Sequence, residues 1–222
     1  MQVTLPSWAA LTLFVPTVVA LVAIPGPNML LILSRGIGQG RRAAFASAVG
    51  VELGTLVHVL GTVIGVSALI AASSLAFNTV KYAGAAYLVY LGVRTLLAKQ
   101  DQAAPGAPAA AGERQPVRTL LRQGALVNVL NPKVALFFLA LLPQYVNPGR
   151  GSVASQTLVL GMIFFVIALA MDLVYAVASV GVGAWLARSL RFARAQKYIT
   201  GCTYLVLGIS AAFAQPAGHR AD

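Results

Sequence analysis

Six long apolar runs constrain this chain more than any other feature: residues 8–34, 43–72, 80–98, 124–146, 156–186 and 198–214 carry very little charge. A helix needs about 20 such residues to cross about 30 Å of hydrocarbon, and every run is near or above that length. In hydrocarbon every backbone polar group must be satisfied within the protein, which leaves helices or a closed barrel. A barrel would alternate apolar and polar residues along each strand, and no such alternation occurs here. The sequence therefore predicts an all-α polytopic membrane protein with six transmembrane helices in one integral-membrane domain, residues 1–222. Composition agrees, because a chain that is 59% hydrophobic and 9% charged has too little polar surface for a soluble globule.

The first run follows MQVTLPSW, which has no Lys or Arg, so it lacks the basic start of a cleavable signal peptide and is expected to be retained. The net charge of +11 sorts by side. Arg35, Arg41 and Arg42 follow the first run; Arg94, Lys99, Arg114, Arg118 and Arg122 follow the third; Arg188, Arg191, Arg194 and Lys197 follow the fifth. Only Lys81, Arg150 and Arg220 fall on the other side. With six spans the three rich segments share one face, which the positive-inside rule makes cytoplasmic, so both termini are predicted outside. These cations lie near lipid headgroups, and no nucleic-acid partner is implied. Cys202, alone in an apolar run, excludes a disulfide framework and is read as a packing residue.

Between the third and fourth runs, KQDQAAPGAPAAAGERQP reads as a flexible cytoplasmic linker, taken as 99–118, between a three-helix half at 1–98 and another at 119–222. GAAYLVYLG in the third run and GCTYLVLG in the sixth have the look of an internal repeat. With three spans per half, such a repeat must be inverted in the membrane, a transporter architecture. The first run of each half is also interrupted, by Pro25, Gly26, Pro27 and Asn28 in one and by Asn131, Pro132 and Lys133 in the other. Each proline removes a backbone donor and frees carbonyls, which is tolerated at depth beside protein or a polar cavity.

Two acids fall within the runs. Glu52 lies about three turns into the second from its cytoplasmic end, and Asp172 lies near the middle of the fifth. Burying either costs at least a few kcal/mol, which makes each a functional candidate. At 100° per residue, Gly50, Gly54, Gly61 and Gly65 form one stripe of the second helix, while Glu52 and Thr55 point the other way. Asp172 shares its face with Gly161, Ala168, Ala176 and Ser179, and Tyr175 flanks it. Lys133 is the deepest cation; its side chain either stays inside or reaches about 6 Å toward the interface. His58, away from Glu52, reads as a packed neutral histidine.

The runs PGPNMLLILSRGIGQGRRAAFASAVGVELGTLVH, KYAGAAYLVYLGVRTLL and GALVNVLNPKVALFFLALLPQYV resemble the lysine exporter and homoserine/threonine-resistance (LysE/RhtB) family of bacterial amino-acid exporters. The resemblance covers nearly all of the chain outside the linker and tail, and its PGP and NPK motifs together are specific. It implies six helices, a bacterial inner-membrane location, and efflux of amino acids or close derivatives driven by the proton gradient. Members often carry an acid where this chain has Thr55; here the acid stands one turn earlier, as Glu52.

A zwitterion crosses hydrocarbon when both of its charges are met. The broken ends at Pro25, Gly26, Pro27 and Asn28 and at Asn131, Pro132 and Lys133, flanked by Tyr175, are expected to offer dipoles, amides and an ammonium to a substrate carboxylate. Asp172, with Glu52 secondary, is expected to meet the ammonium and to exchange it for a proton. A channel is the first rival, yet no charge ring or filter sequence is present. An enzyme would need a nucleophile and base or a metal-ligand cluster such as HExxH, whereas the runs supply one His, one Cys and two separated acids. No cofactor or metal is expected. The glycine stripe could pack helices within one chain or between two, leaving a homo-oligomer open.

Overall fold

The computed structural model describes residues 5–72, 74–97, 114–179 and 190–213, and among them every regular element is helical. Helix α1 (Trp8–Ala23) starts at Ser7, whose hydroxyl accepts from the Ala10 amide. It stops before Pro25, because proline disfavours helical backbone in the preceding residue, and Ile24 is extended. Gly26 is extended as well, and α2 (Pro27–Gln39) begins with Pro27 at the first helical position, where a missing N–H costs nothing. The two axes differ by 47°.

Gly40 takes φ 88°, a conformation open to glycine, and turns the chain into α3 (Arg41–Ala72), followed by α4 (Ser74–Leu97). In the second half, α5 (Val117–Val129) ends at Leu130, and α6 (Pro132–Leu136) restarts after Asn131 at 49° to it. The chain continues from α6 through a π-helical turn at Phe137–Leu141 and a 3-10 turn at Leu142–Tyr145. Helices α7 (Val153–Ala178) and α8 (Leu190–Phe213) complete the order. Arg41–Gly65 of α3 and the whole of α7 are each long and apolar enough to cross a membrane, and each bent pair passes the same test as one broken span. The protein is a multi-pass membrane protein.

Helix α3 sits between α5, α7 and α2, while α4 packs along α8 and α1 along α7. Half of the expected glycine stripe makes the α3–α5 contact. A Cβ on Gly54 would lie 2.7 Å from the Ala125 carbonyl and one on Gly124 would lie 2.6 Å from the Ser47 carbonyl, so only glycine permits these backbones to approach this closely. Gly61 and Gly65, on the same stripe, face open space. Three of the four glycines of the suspected repeat mark the α4–α8 crossing, where Gly92 and Gly201 meet and Gly208 abuts the Ala85 carbonyl, whereas Gly84 faces Ala140 of the π turn. The tyrosines of the repeat differ in surroundings, however: Tyr204 is buried and Tyr87 exposed.

Several helices outrun the apolar stretches. Helix α5 starts at Val117 rather than 124 and takes in Arg118 and Arg122, because polar turns remain helical outside hydrocarbon. The expected linker is therefore shorter at its end; its residues 99–113, Arg188, the last part of the fifth run and both chain termini lie outside the described residues. The first two cation-rich segments do share one end of the molecule. Gln39 accepts from the Gln115 amide at 3.1 Å, Arg35 donates to Gln123 at 2.7 Å, and Arg41, Arg42 and Arg114 line one recess. Near the opposite end, Phe14, Phe137, Phe138 and Phe164 form an aromatic core whose neighbouring rings are 4.9–5.8 Å apart. The wide π turn presents Phe137 and Phe138 together to that core.

Candidate functional site

Where α1 stops, its last carbonyls have no helical partner, and in a membrane interior they must find another. The structure supplies two from distant segments. The Lys133 ammonium donates to the carbonyls of Leu21 and Ile24, both at 3.0 Å. The Tyr175 hydroxyl donates to those of Val22 and Ala23, at 3.4 and 3.3 Å. Lys133 is thus held inside, 6% exposed, and does not reach for the interface. Its ammonium caps one broken helix from the start of the other. Gly26 leaves the room for it, since a Cβ there would lie 3.2 Å from Nζ.

Three asparagines tie the two breaks together. Asn131 caps α6 by accepting from the Lys133 amide through Oδ1, and its Nδ2 donates to Asn28 Oδ1 at 3.0 Å. Asn28 in turn donates to Asn128 Oδ1 at 2.8 Å. The Asn128 amide donates to the Val51 carbonyl at 2.7 Å and to Thr55 Oγ1 at 2.8 Å. Asn128 is completely buried. It was not singled out in the sequence, where it is one amide in an apolar run; its position one turn before Asn131 on the same helix was the available signal.

From Thr55 the network reaches the acids. Thr55 hydrogen-bonds Glu52, and the Glu52 and Asp172 carboxyls are hydrogen-bonded neighbours. The two acids are 2% and 4% exposed. The expectation of two separated acids is corrected: α3 and α7 pack side by side and bring the two carboxyls into proximity. A proton on either carboxyl would let one donate to the other. Lys133 acts electrostatically on Asp172 from across the site. Glu52 Oε2 is buried without a hydrogen-bond partner.

These groups surround a small cavity of about 20 Å³, room for about one water. Gly26, Asn28, Glu52, Lys133, Asp172 and Tyr175 line it, joined by Thr55 and by an apolar wall that includes Met29 and Phe164. Pro25, Pro27, Asn131 and Pro132 shape the breaks but do not line the cavity. His58 stands apart, stacked 5.6 Å from Phe138 with Nε2 3.1 Å from the Asn128 carbonyl, which fits a packed histidine. Among the described residues no group of three or more His, Cys, Asp or Glu side chains could hold a metal ion.

Fold and site together define a helical membrane protein whose two broken spans meet around a buried carboxyl pair and a lysine. The LysE type translocator family matches residues 19–215, and the chain belongs to that family. A membrane protein of Pseudomonas aeruginosa is 34% identical over 209 residues, covering 90% of this chain and 94% of its own. The homoserine/homoserine lactone efflux protein of Salmonella typhimurium is 30% identical over 195 residues, 87% of this chain and 91% of that one. The leucine efflux protein of an Enterobacter species is 32% identical over 143 residues, 63% and 65% of the two chains. No solved structure is a significant match.

Proposed function

We propose that this protein exports an amino acid or a close derivative from the cytoplasm across the bacterial inner membrane in exchange for protons. Six spans form two inverted three-helix halves, with α4 and α8 as the third and sixth and both termini outside. The packing pattern supports this reading. Exchanging the halves maps the α3–α7 and α4–α8 pairs onto themselves and the α1–α7 pair onto α5–α3, as a two-fold axis in the membrane plane would. The efflux roles in the names of the Salmonella and Enterobacter relatives support export.

The observation that carries the coupling is the buried Glu52–Asp172 pair with an unpartnered carboxyl oxygen beside the cavity. Holding one proton, the pair has no need of another cation. Once that proton leaves, it is a site for the substrate ammonium, so proton and substrate occupy it in turn. The substrate carboxylate faces the start of α2, which has no side-chain cap and carries the positive end of the helix dipole. Lys133 holds the carbonyl end of α1 in place rather than pairing directly with the carboxylate.

The test is efflux from inverted-orientation-controlled vesicles loaded with a mixture of the twenty amino acids. Faster, saturable release of one or a few, accelerated by an imposed proton gradient, supports the reading. Non-saturable leakage of many solutes would favour a pore, and identical release with and without the protein would refute export of amino acids.

A further inference from the structure

We infer that the recess at the arginine-rich end of the molecule binds the phosphodiester group of an anionic membrane phospholipid. This site shares no lining residue with the cavity of the carboxyl pair. In the proposed topology it opens to the cytoplasmic leaflet, but the chemistry holds for whichever leaflet meets this end.

The recess has a volume of about 460 Å³, room for about fifteen waters at ~30 Å³ each and hence for a phosphodiester with its glycerol. Three exposed arginines line it, Arg41, Arg42 and Arg114. They come from segments far apart in the sequence. Gly40, at φ 88°, turns the chain so that Arg41 and Arg42 open α3, while Arg114 stands just before α5. The Gln115 amide donates to Gln39 and Arg35 donates to Gln123, and these two bonds hold the segments side by side before any ligand arrives. Among the described residues no acidic side chain lines the recess. In the sequence, residues 35–42 and 113–122 hold six arginines against one acid, Glu113.

Such an excess calls for an anion, and guanidinium forks match phosphate oxygens two bonds at a time. Helices α3 and α5 both begin among the lining residues, at Arg41 and Val117, so first-turn amides and the positive ends of two helix dipoles add to the arginines. Depth favours a lipid over a soluble phosphate. Ala43, which opens the second apolar run, and Leu120 form a buried apolar part of the wall, so the recess spans the level where charged ends meet hydrocarbon. A phospholipid is already concentrated at that level by its chains. A zwitterionic headgroup would bring an ammonium with no carboxylate in the lining to receive it, which favours lipids of net negative charge.

The experiment titrates purified, delipidated full-length protein in neutral detergent with phosphatidylglycerol or phosphatidylethanolamine, with and without inorganic phosphate, and counts bound lipid by native mass spectrometry. Phosphatidylglycerol binding at least about tenfold tighter than phosphatidylethanolamine, and persisting in millimolar inorganic phosphate, is the expected result. Each arginine near an anionic surface contributes roughly fivefold, so Arg42→Gln/Arg114→Gln should weaken that binding at least about tenfold. Arg118→Gln/Arg122→Gln removes the same charge from exposed positions of α5 outside the recess and should change it less than about threefold. Equal losses in the two double variants would reduce the effect to diffuse attraction and overturn the inference. Equal affinity for the two lipids in the unchanged protein would overturn it whether or not either variant folds. Displacement of the lipid by inorganic phosphate would also overturn it and give the recess to a soluble anion.

Discussion

Replacing Asn128 by alanine removes the central link between the two helix breaks. Its amide makes three hydrogen bonds, to Asn28, Thr55 and the Val51 carbonyl, at 2.7–2.8 Å and with no exposure. Polar contacts between membrane helices average about 0.6 kcal/mol and reach about 1.7, so three bonds bound the loss between about 2 and 5 kcal/mol. The partners decide where it falls. Thr55 retains Glu52 and Asn28 retains Asn131, so neither is wholly stranded, which places the cost at about 2–3 kcal/mol. Equilibrium unfolding in mixed micelles measures this directly, with Leu126→Ala, an exposed site on the same helix, as the control within about 0.5 kcal/mol. If Asn128→Ala costs no more than Leu126→Ala, the asparagine network is not what holds the breaks together.

Lys133→Met strips the ammonium from the end of α1. In a Cys202→Ser background, a cysteine at Met29 should then react severalfold faster with a small polar thiol reagent, and an unchanged rate would contradict the capping role. Gly124→Ala forces a Cβ to within 2.6 Å of the Ser47 carbonyl and should destabilise by about 1–3 kcal/mol, whereas Gly61→Ala, facing open space, should be neutral or stabilising. A reporter active only in the cytoplasm, fused after residue 213, should be silent, and strong activity would reverse the proposed topology.

The breaks were legible because proline acts locally: Pro25, Pro27 and Pro132 stop and restart helices wherever they stand. The face of each acid was legible from helical periodicity. The meeting of Glu52 and Asp172 was not, because it depends on how α3 lies against α7, 120 positions along the chain, and periodicity is silent on pairing. Lys133 shows the same limit. Its residue type allowed both a buried and an interfacial head, and only the carbonyls of Leu21 and Ile24, presented by the other half, decide between them. The glycine stripe was half informative: spacing placed four glycines on one face, but only Gly50 and Gly54 find a helix there. The π turn at Phe137–Leu141 left no readable mark, since FFLAL suits an ordinary helix equally well.

Gradient-driven efflux measured beside equilibrium exchange, in Asp172→Asn and Glu52→Gln proteins at equal reconstitution, tests the central claim most directly. Each change keeps volume and hydrogen-bonding capacity but removes titration from one member of the pair. The account predicts that either variant loses acceleration by an imposed proton gradient, while exchange of labelled for unlabelled substrate survives in at least one. Full gradient-driven efflux in both variants would contradict it.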